Sequence, residues 1–202
     1  MSTFNFDSEI TLENDVVKLR PIKLSDVKHL TTISLEPNIW DYSFVKGDGE
    51  TNLTNYIAEA IQARKNKTAY TFIVYDKRKQ QYAGCTRFSE INTFLNTIRL
   101  GYTWYGKQFQ GTGLNKHCKY LLFQYAFEII GFERVGLSSY IENERSIYAM
   151  LSVGCKKEGV FRNMFPSVSG EGRTDAILLS ILKGDWFSTE KEKLNLKLTT
   201  RT

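Results

Sequence analysis

Residues 97–130 hold three signals in unbroken order, and together they constrain the chain more than any other stretch. Residues 97–105 alternate like a strand, with Ile98, Leu100, Tyr102 and Trp104 predicted to share one face. The turn Gln108-Phe109-Gln110-Gly111-Thr112-Gly113 follows. Residues 114–130 then set Leu114, Cys118, Leu121, Leu122, Tyr125, Ala126 and Ile129 on one helical stripe, with Gly131 as its stop. Glycines at 111 and 113 allow close backbone approach and left-handed dihedrals. The first amides of the next helix, with its dipole, then face an anion. Strand, glycine turn and helix therefore make a seat for a diphosphate, although a tight turn alone produces the same spacing. A P-loop needs Gly-Lys-Ser/Thr where this chain has Gly113-Leu114-Asn115. A dinucleotide-binding fold needs a third glycine where Lys116 stands, and a parallel sheet with the motif near its first strand.

Around this unit the hydrophobic pattern predicts a strand over 16–22, ended near Pro21, and a helix capped by Ser25 or Asp26 and running to Leu35. An aromatic loop follows over 39–49, carrying Trp40, Tyr42 and Phe44. A helix over 51–65, strands over 70–75 and 82–89, a strand over 134–141, a helix over 143–153 and strands over 157–165 and 174–182 complete the order. That order, β-α-α-β-β-β-α-β-α-β-β, is mixed α/β: a largely antiparallel sheet with one strand-helix-strand crossover in its middle. The length of 202 residues suits one domain, expected over 10–187, with a polar, frayed tail over 188–202.

Composition narrows the partners. With 42% apolar and 24% charged residues and no apolar run near bilayer length, a soluble cytoplasmic protein without membrane contact is expected. The first 13 residues lack the basic-then-apolar pattern of a signal peptide. Cys85, Cys118 and Cys155 are scattered, and His29 and His117 are the only histidines, so no metal site is expected. The net charge of +5 is not gathered into one tract; Lys77-Arg78-Lys79 reads as a solvated turn, and nucleic-acid binding is not expected.

Gln108 to Gly113 resembles the Q/R-x-x-G-x-G/A signature of the GCN5-related N-acetyltransferases (GNAT). Asn143-Glu144-Arg145-Ser146, followed by Gly154-Cys155-Lys156-Lys157-Glu158-Gly159-Val160-Phe161-Arg162, is similar to the N-x-x-S and G-F-x-x-E-G-x-x-R run of that family's RimJ/RimL-like branch. Leu19-Arg20-Pro21 with Ser25-Asp26 resembles the branch's opening, and Asp175, residues 176–182 and Asp185-Trp186 its ending. The resemblance implies the GNAT fold: a twisted, mostly antiparallel sheet of about seven strands flanked by about four helices, with one splayed parallel pair.

It also implies roles. Backbone groups of Gln108, Phe109, Gln110, Gly111, Thr112, Gly113, Leu114 and Asn115 would hold the diphosphate of acetyl-CoA. The strand with Tyr102, Thr103 and Trp104 would splay from residues 134–141, pair with the pantetheine amides and offer a backbone N–H to the thioester carbonyl. Asn143 would contact the pantetheine arm. Ser146, one turn later, would meet the thioester sulfur and support the departing thiolate, its alternative being a back-bond to the preceding helical turn. Many relatives carry a tyrosine acid four residues on, where this chain has Met150; Tyr148 faces elsewhere.

The implied reaction is direct attack of a primary amine on the thioester, without a covalent enzyme intermediate. Glu90, past the strand over 82–89, would take the amine proton directly or through water, or stand as a solvated carboxylate. Trp40 and Tyr42 would wall the acceptor pocket or seal the core. His117 is expected to have a surface role and Asp175 a structural one. The acceptor stays open between a protein N-terminal α-amine and a small amine such as an antibiotic, amino acid or polyamine. A silent acyl-CoA sensor is the alternative to an enzyme, and a homodimer stays open.

Overall fold

The computed structural model describes residues 3–199. Among them eight strands form one sheet: β1 (Leu12–Glu13), β2 (Val17–Pro21), β3 (Ala69–Asp76), β4 (Gln81–Asn92), β5 (Thr97–Tyr105), β6 (Arg134–Tyr140), β7 (Lys156–Pro166) and β8 (Arg173–Leu182). Their spatial order is β1-β2-β3-β4-β5-β6-β8-β7. Neighbours joined by tight turns run antiparallel; only β5 and β6, separated by a helix, run parallel. This is the mixed α/β architecture expected, with the two-residue β1 as an addition.

Helices α1 (Val27–Ser34) and α2 (Gly49–Lys65) cover one face of the sheet. Leu30, Ile33, Leu53, Tyr56 and Ile57 meet Ile73, Cys85 and Trp104 there. The other face carries α3 (Leu114–Gln124, continued as a π-helical turn Tyr125–Ile130) and α4 (Glu144–Ser152). Its core runs from Leu19, Phe72 and Phe88 through Leu114, Leu122 and Phe123 to Met150 and Ile181.

Four expectations change. Helix α1 is entered through a short 3-10 turn, Leu24–Asp26. There the buried Asp26 carboxylate accepts from the Lys23 amide at 2.8 Å and from both Arg20 guanidinium nitrogens, so it closes the turn from its third position. The stripe over 114–130 is not purely α-helical, and its last turn widens to the π form. The extra residue per turn rotates Ile129 out to 69% exposure and brings Phe127 into the core.

The N-terminal side of residue 10 is also packed, since Phe4 lies against Tyr70, Phe88 and Tyr125. Arg64 holds this segment by donating to the carbonyls of Phe6 and Ser8. The tail expected to fray forms a last helical segment, α5: Lys183–Asp185, a π turn Trp186–Glu190, then Lys191–Thr199. Trp186 and Leu194 are its buried anchors, and Trp186 Nε1 donates to Glu128 at 2.8 Å. Residues 200–202 of the expected tail lie outside the described residues.

Candidate active site

The sheet opens in its middle. Strands β5 and β6 pair only at Thr97–Arg134, Ile98–Val135 and Arg99–Gly136, and beyond these they separate. On its other side β5 loses register with β4: Arg87 faces Gly101 and Cys85 faces Trp104, so β5 holds one extra residue. The irregularity centres on Tyr102, in the left-handed region at φ 49°. Ile98 and Leu100 therefore face the α3 core, whereas Trp104 joins the α1/α2 core and the Tyr102 ring stacks under Arg87. The four residues expected on one face are divided between two by the bulge.

At the end of β5 the chain turns through a short 3-10 segment, Lys107–Phe109, into α3. Gly111 and Gly113 have φ of 72° and 79°, and a Cβ on either would meet nothing within 4 Å, so the turn stays open on its outer side. The amides of 111–115 donate to no protein acceptor among the described residues, and the first bonds back to the turn are Lys116 and His117 to the Gly113 carbonyl. Orphan amides at a helix N-terminus, with open space before them, fit a diphosphate.

Arg78 donates to the Thr112 carbonyl and pairs with the buried Asp76, and Lys79 lies over the Phe109 ring, so two of the three cations taken for a solvated turn border the glycine turn. The Phe109 and Leu114 side chains are buried, and the Phe109 and Gln110 amides donate to the Gly106 and Lys107 carbonyls, so the 3-10 turn itself takes up two of the amides expected to face a ligand. Asn115 accepts from the Tyr105 hydroxyl, and Gln108 donates to Gln81. Gln110 donates to the Tyr105 carbonyl and accepts from Arg145 at 2.7 Å, joining the glycine turn to α4. His117, bonded to Asn14 at 3.1 Å, is kept below the usual imidazole range by burial and by Arg78; it ties the N-terminal segment to α3.

Across the opening, Asn143 caps α4 by accepting from the Ser146 amide at 3.1 Å. The partly buried Ser146 hydroxyl makes no bond back to the preceding turn, unlike Ser152, which bonds to the Ala149 carbonyl. Met150 is packed into the core and Tyr148 is 74% exposed, so neither supplies an acid beside Ser146. One buried cation escaped the sequence reading. Lys119 of α3 is 4% exposed, donates to Thr103 Oγ1 at 3.0 Å and approaches Thr86 Oγ1 at 3.5 Å, and burial lowers its pKa to about 8.

On the opposite face a groove of about 200 Å³ runs along the paired ends of β5 and β6, lined by Glu90, Thr97, Arg99, Arg134, Gly136 and Leu178. Glu90 lies within β4, which continues to Asn92, and not past its end; its φ is 46° and its carboxylate faces Arg99 Nε at 3.6 Å. Arg99 also donates to the Ser138 hydroxyl across the seam.

Of the loop aromatics, Trp40 turns inward, with 6% exposure, its Nε1 donating to the Ser34 carbonyl and its ring 4.7 Å from Trp104. It serves the core beneath the loop, while Tyr42 and Phe44 stay exposed and pack on Tyr140. Arg87, also missed from sequence, stacks between the Tyr56 and Tyr102 rings and donates to Thr71. Asp175 accepts from the Asn163 amide at 2.8 Å, the structural role expected for it. Among the described residues no group of three or more His, Cys, Asp or Glu side chains is placed to hold a metal, and no helix is long and apolar enough to cross a membrane.

The fold is that of known acetyltransferases. A GCN5-related N-acetyltransferase from Brucella melitensis superposes with a TM-score of 0.86 at 21% identity, covering 96% of this chain and 88% of that one. The microcin C7 self-immunity acetyltransferase MccE, solved with acetyl-CoA and AMP, gives 0.74 at 21% identity, covering 84% and 93%. The ribosomal-protein-S5-alanine acetyltransferase from Vibrio fischeri gives 0.70 at 20% identity, covering 88% and 99%. A search of curated protein sequences found no match. The sequence itself matches the model of the acetyltransferase (GNAT) domain over residues 17–156, a span that takes in the split sheet, the glycine turn and α4. The chain belongs to the GNAT acetyltransferase family.

Proposed function

We propose that this acetyltransferase, of the RimJ/RimL-like branch, transfers the acetyl group of acetyl-CoA to the N-terminal α-amine of a peptide or protein. The observation that carries the reading is the split between β5 and β6, with the glycine turn and α3 on one face and an open groove ending at Glu90 on the other. Donor and acceptor then meet from opposite sides of the sheet. The groove is open to solvent and an exposed carboxylate borders it, which suits an extended chain end better than an enclosed metabolite. The name of the Vibrio fischeri neighbour points to the same acceptor class.

Acetyl-CoA supplies an acetyl carbon activated as a thioester. The amides of 111–115 and Arg78 hold the diphosphate. The bulge at Tyr102 turns a backbone N–H toward the carbonyl oxygen, where negative charge grows as the C–N bond forms. Glu90, at the closed end of the split, takes the amine proton through water. Ser146, placed by the Asn143 cap, gives its proton to the thiolate as the C–S bond breaks. Met150 leaves no tyrosine to share that task.

A thiol-release assay tests this with peptides of varied first residue against free amino acids, polyamines and aminoglycosides. A peptide is expected to give the highest kcat/KM, and a small amine that outruns every peptide overturns the acceptor. Acetyl-CoA binding without release for any acceptor overturns the assigned chemistry. Ser146→Ala is expected to lower kcat by about ten- to a hundredfold while leaving acetyl-CoA affinity unchanged.

A further inference from the structure

Lys119 is a charge in an expensive place. Its ammonium is buried, and among the described residues no carboxylate pairs with it; its polar neighbours are two threonine hydroxyls. The titratable groups facing it are Cys118 on its own helix and Cys155 at the mouth of β7, and Tyr105 of β5 in turn faces Cys118. All three are held neutral by burial, the Cys118 thiol being pushed up to about 11. A lone buried cation of this kind opposes folding, so its position calls for a use in the site.

That position is specific. Thr103 is the residue after Tyr102, where β5 has left β6, and its hydroxyl also bonds Thr86 of β4 at 2.8 Å. Lys119, Thr103 and Thr86 thus form a three-member lock beneath the bulge, on the same face as the glycine turn and α4. A left-handed tyrosine is strained and persists only where its surroundings over-determine it. The lock supplies that constraint and sets a charge beneath the stretch of β5 that has parted from β6.

We propose that Lys119 is a positioning residue for acyl transfer, fixing the β5 bulge through Thr103 and Thr86 and setting a buried positive charge beneath the polarised thioester carbonyl. This rests on the acetyl-CoA reading above.

The test uses the full chain with [1-13C]acetyl-CoA, measuring the bound carbonyl band by isotope-edited infrared spectroscopy and affinity by calorimetry. In the wild-type protein the band is expected to move to lower wavenumber than in free acetyl-CoA. Lys119→Met, of similar shape, is expected to lose most of that displacement while its Kd changes by less than about threefold. Raising the pH until the ammonium deprotonates should bring the wild-type displacement down to that of the variant and leave the variant unmoved. With an acceptor in hand, kcat should fall by about ten- to a hundredfold at nearly constant KM. Thr103→Val, which breaks the lock and keeps the charge, should lose part of the displacement, and decides the matter if Lys119→Met fails to fold. An equal displacement in wild type and in whichever variant folds overturns the proposal. Absence of acetyl-CoA binding by the wild type overturns the functional reading beneath it instead.

Discussion

At the scale of single residues, the Lys119 ammonium gives up its hydration on folding and regains only hydroxyl contacts, so its pKa falls from 10.5 to about 8. Between these values the unfolded chain holds a proton that the folded chain releases. Stability contributed by the neutral amine therefore grows as pH rises through that window, and the full penalty applies below it. Lys119→Met is accordingly expected to be more stable than wild type at pH 7, on the order of 1–3 kcal/mol, with the gap closing by about pH 10. Urea midpoints at the two pH values check this; a variant less stable at pH 7 contradicts it. The left-handed glycines at 111 and 113 were legible in the sequence because a tight turn restricts which residues it accepts. Lys119 and Arg87 were not. A lysine beside an apolar stripe usually sends its stem to water, and only the folded sheet places Thr103 and Thr86 above this one.

At the scale of elements, periodicity located every strand and helix that carries the site, but not the places where the period breaks. The alternation over residues 97–105 has no mark of the extra residue at Tyr102, because tyrosine there looks like any strand tyrosine. The widening of α3 after Gln124 is equally silent, and it exchanges Ile129 for Phe127 in the core. The glycine turn is the opposite case, since its dihedrals restrict which residues it accepts. Gly113→Ala meets no atom within 4 Å, so its cost is backbone strain, about 1 kcal/mol at φ 79°. The larger effect is expected on the ligand, because a methyl group on the open side of the turn blocks close approach of an anion. Calorimetry should show acetyl-CoA affinity reduced about tenfold or more, against a small shift in melting temperature. A variant with unchanged affinity would remove the turn from the binding site.

At the scale of the whole molecule, composition separated the segments poorly. Residues 188–199 are polar in sequence, yet Trp186 is wholly buried and Leu194 nearly so, and Lys191 pairs with Glu128. A few apolar anchors spaced along a polar helix are enough to dock it when the facing surface already exists. Trp186→Ala is expected to destabilise the protein by about 3–5 kcal/mol, measurable by denaturant unfolding. A loss below about 1 kcal/mol would mean that the segment is ancillary to the domain. The three-residue parallel seam between β5 and β6 has a further consequence, for assembly. Strands β1 to β5 lie on one side of the seam and β6, β8 and β7 on the other, each set held by antiparallel ladders, whereas only three residue pairs join the two sets directly. A ligand lying along the opening spans both halves and acts as a suture, so its binding energy enters directly into their cohesion.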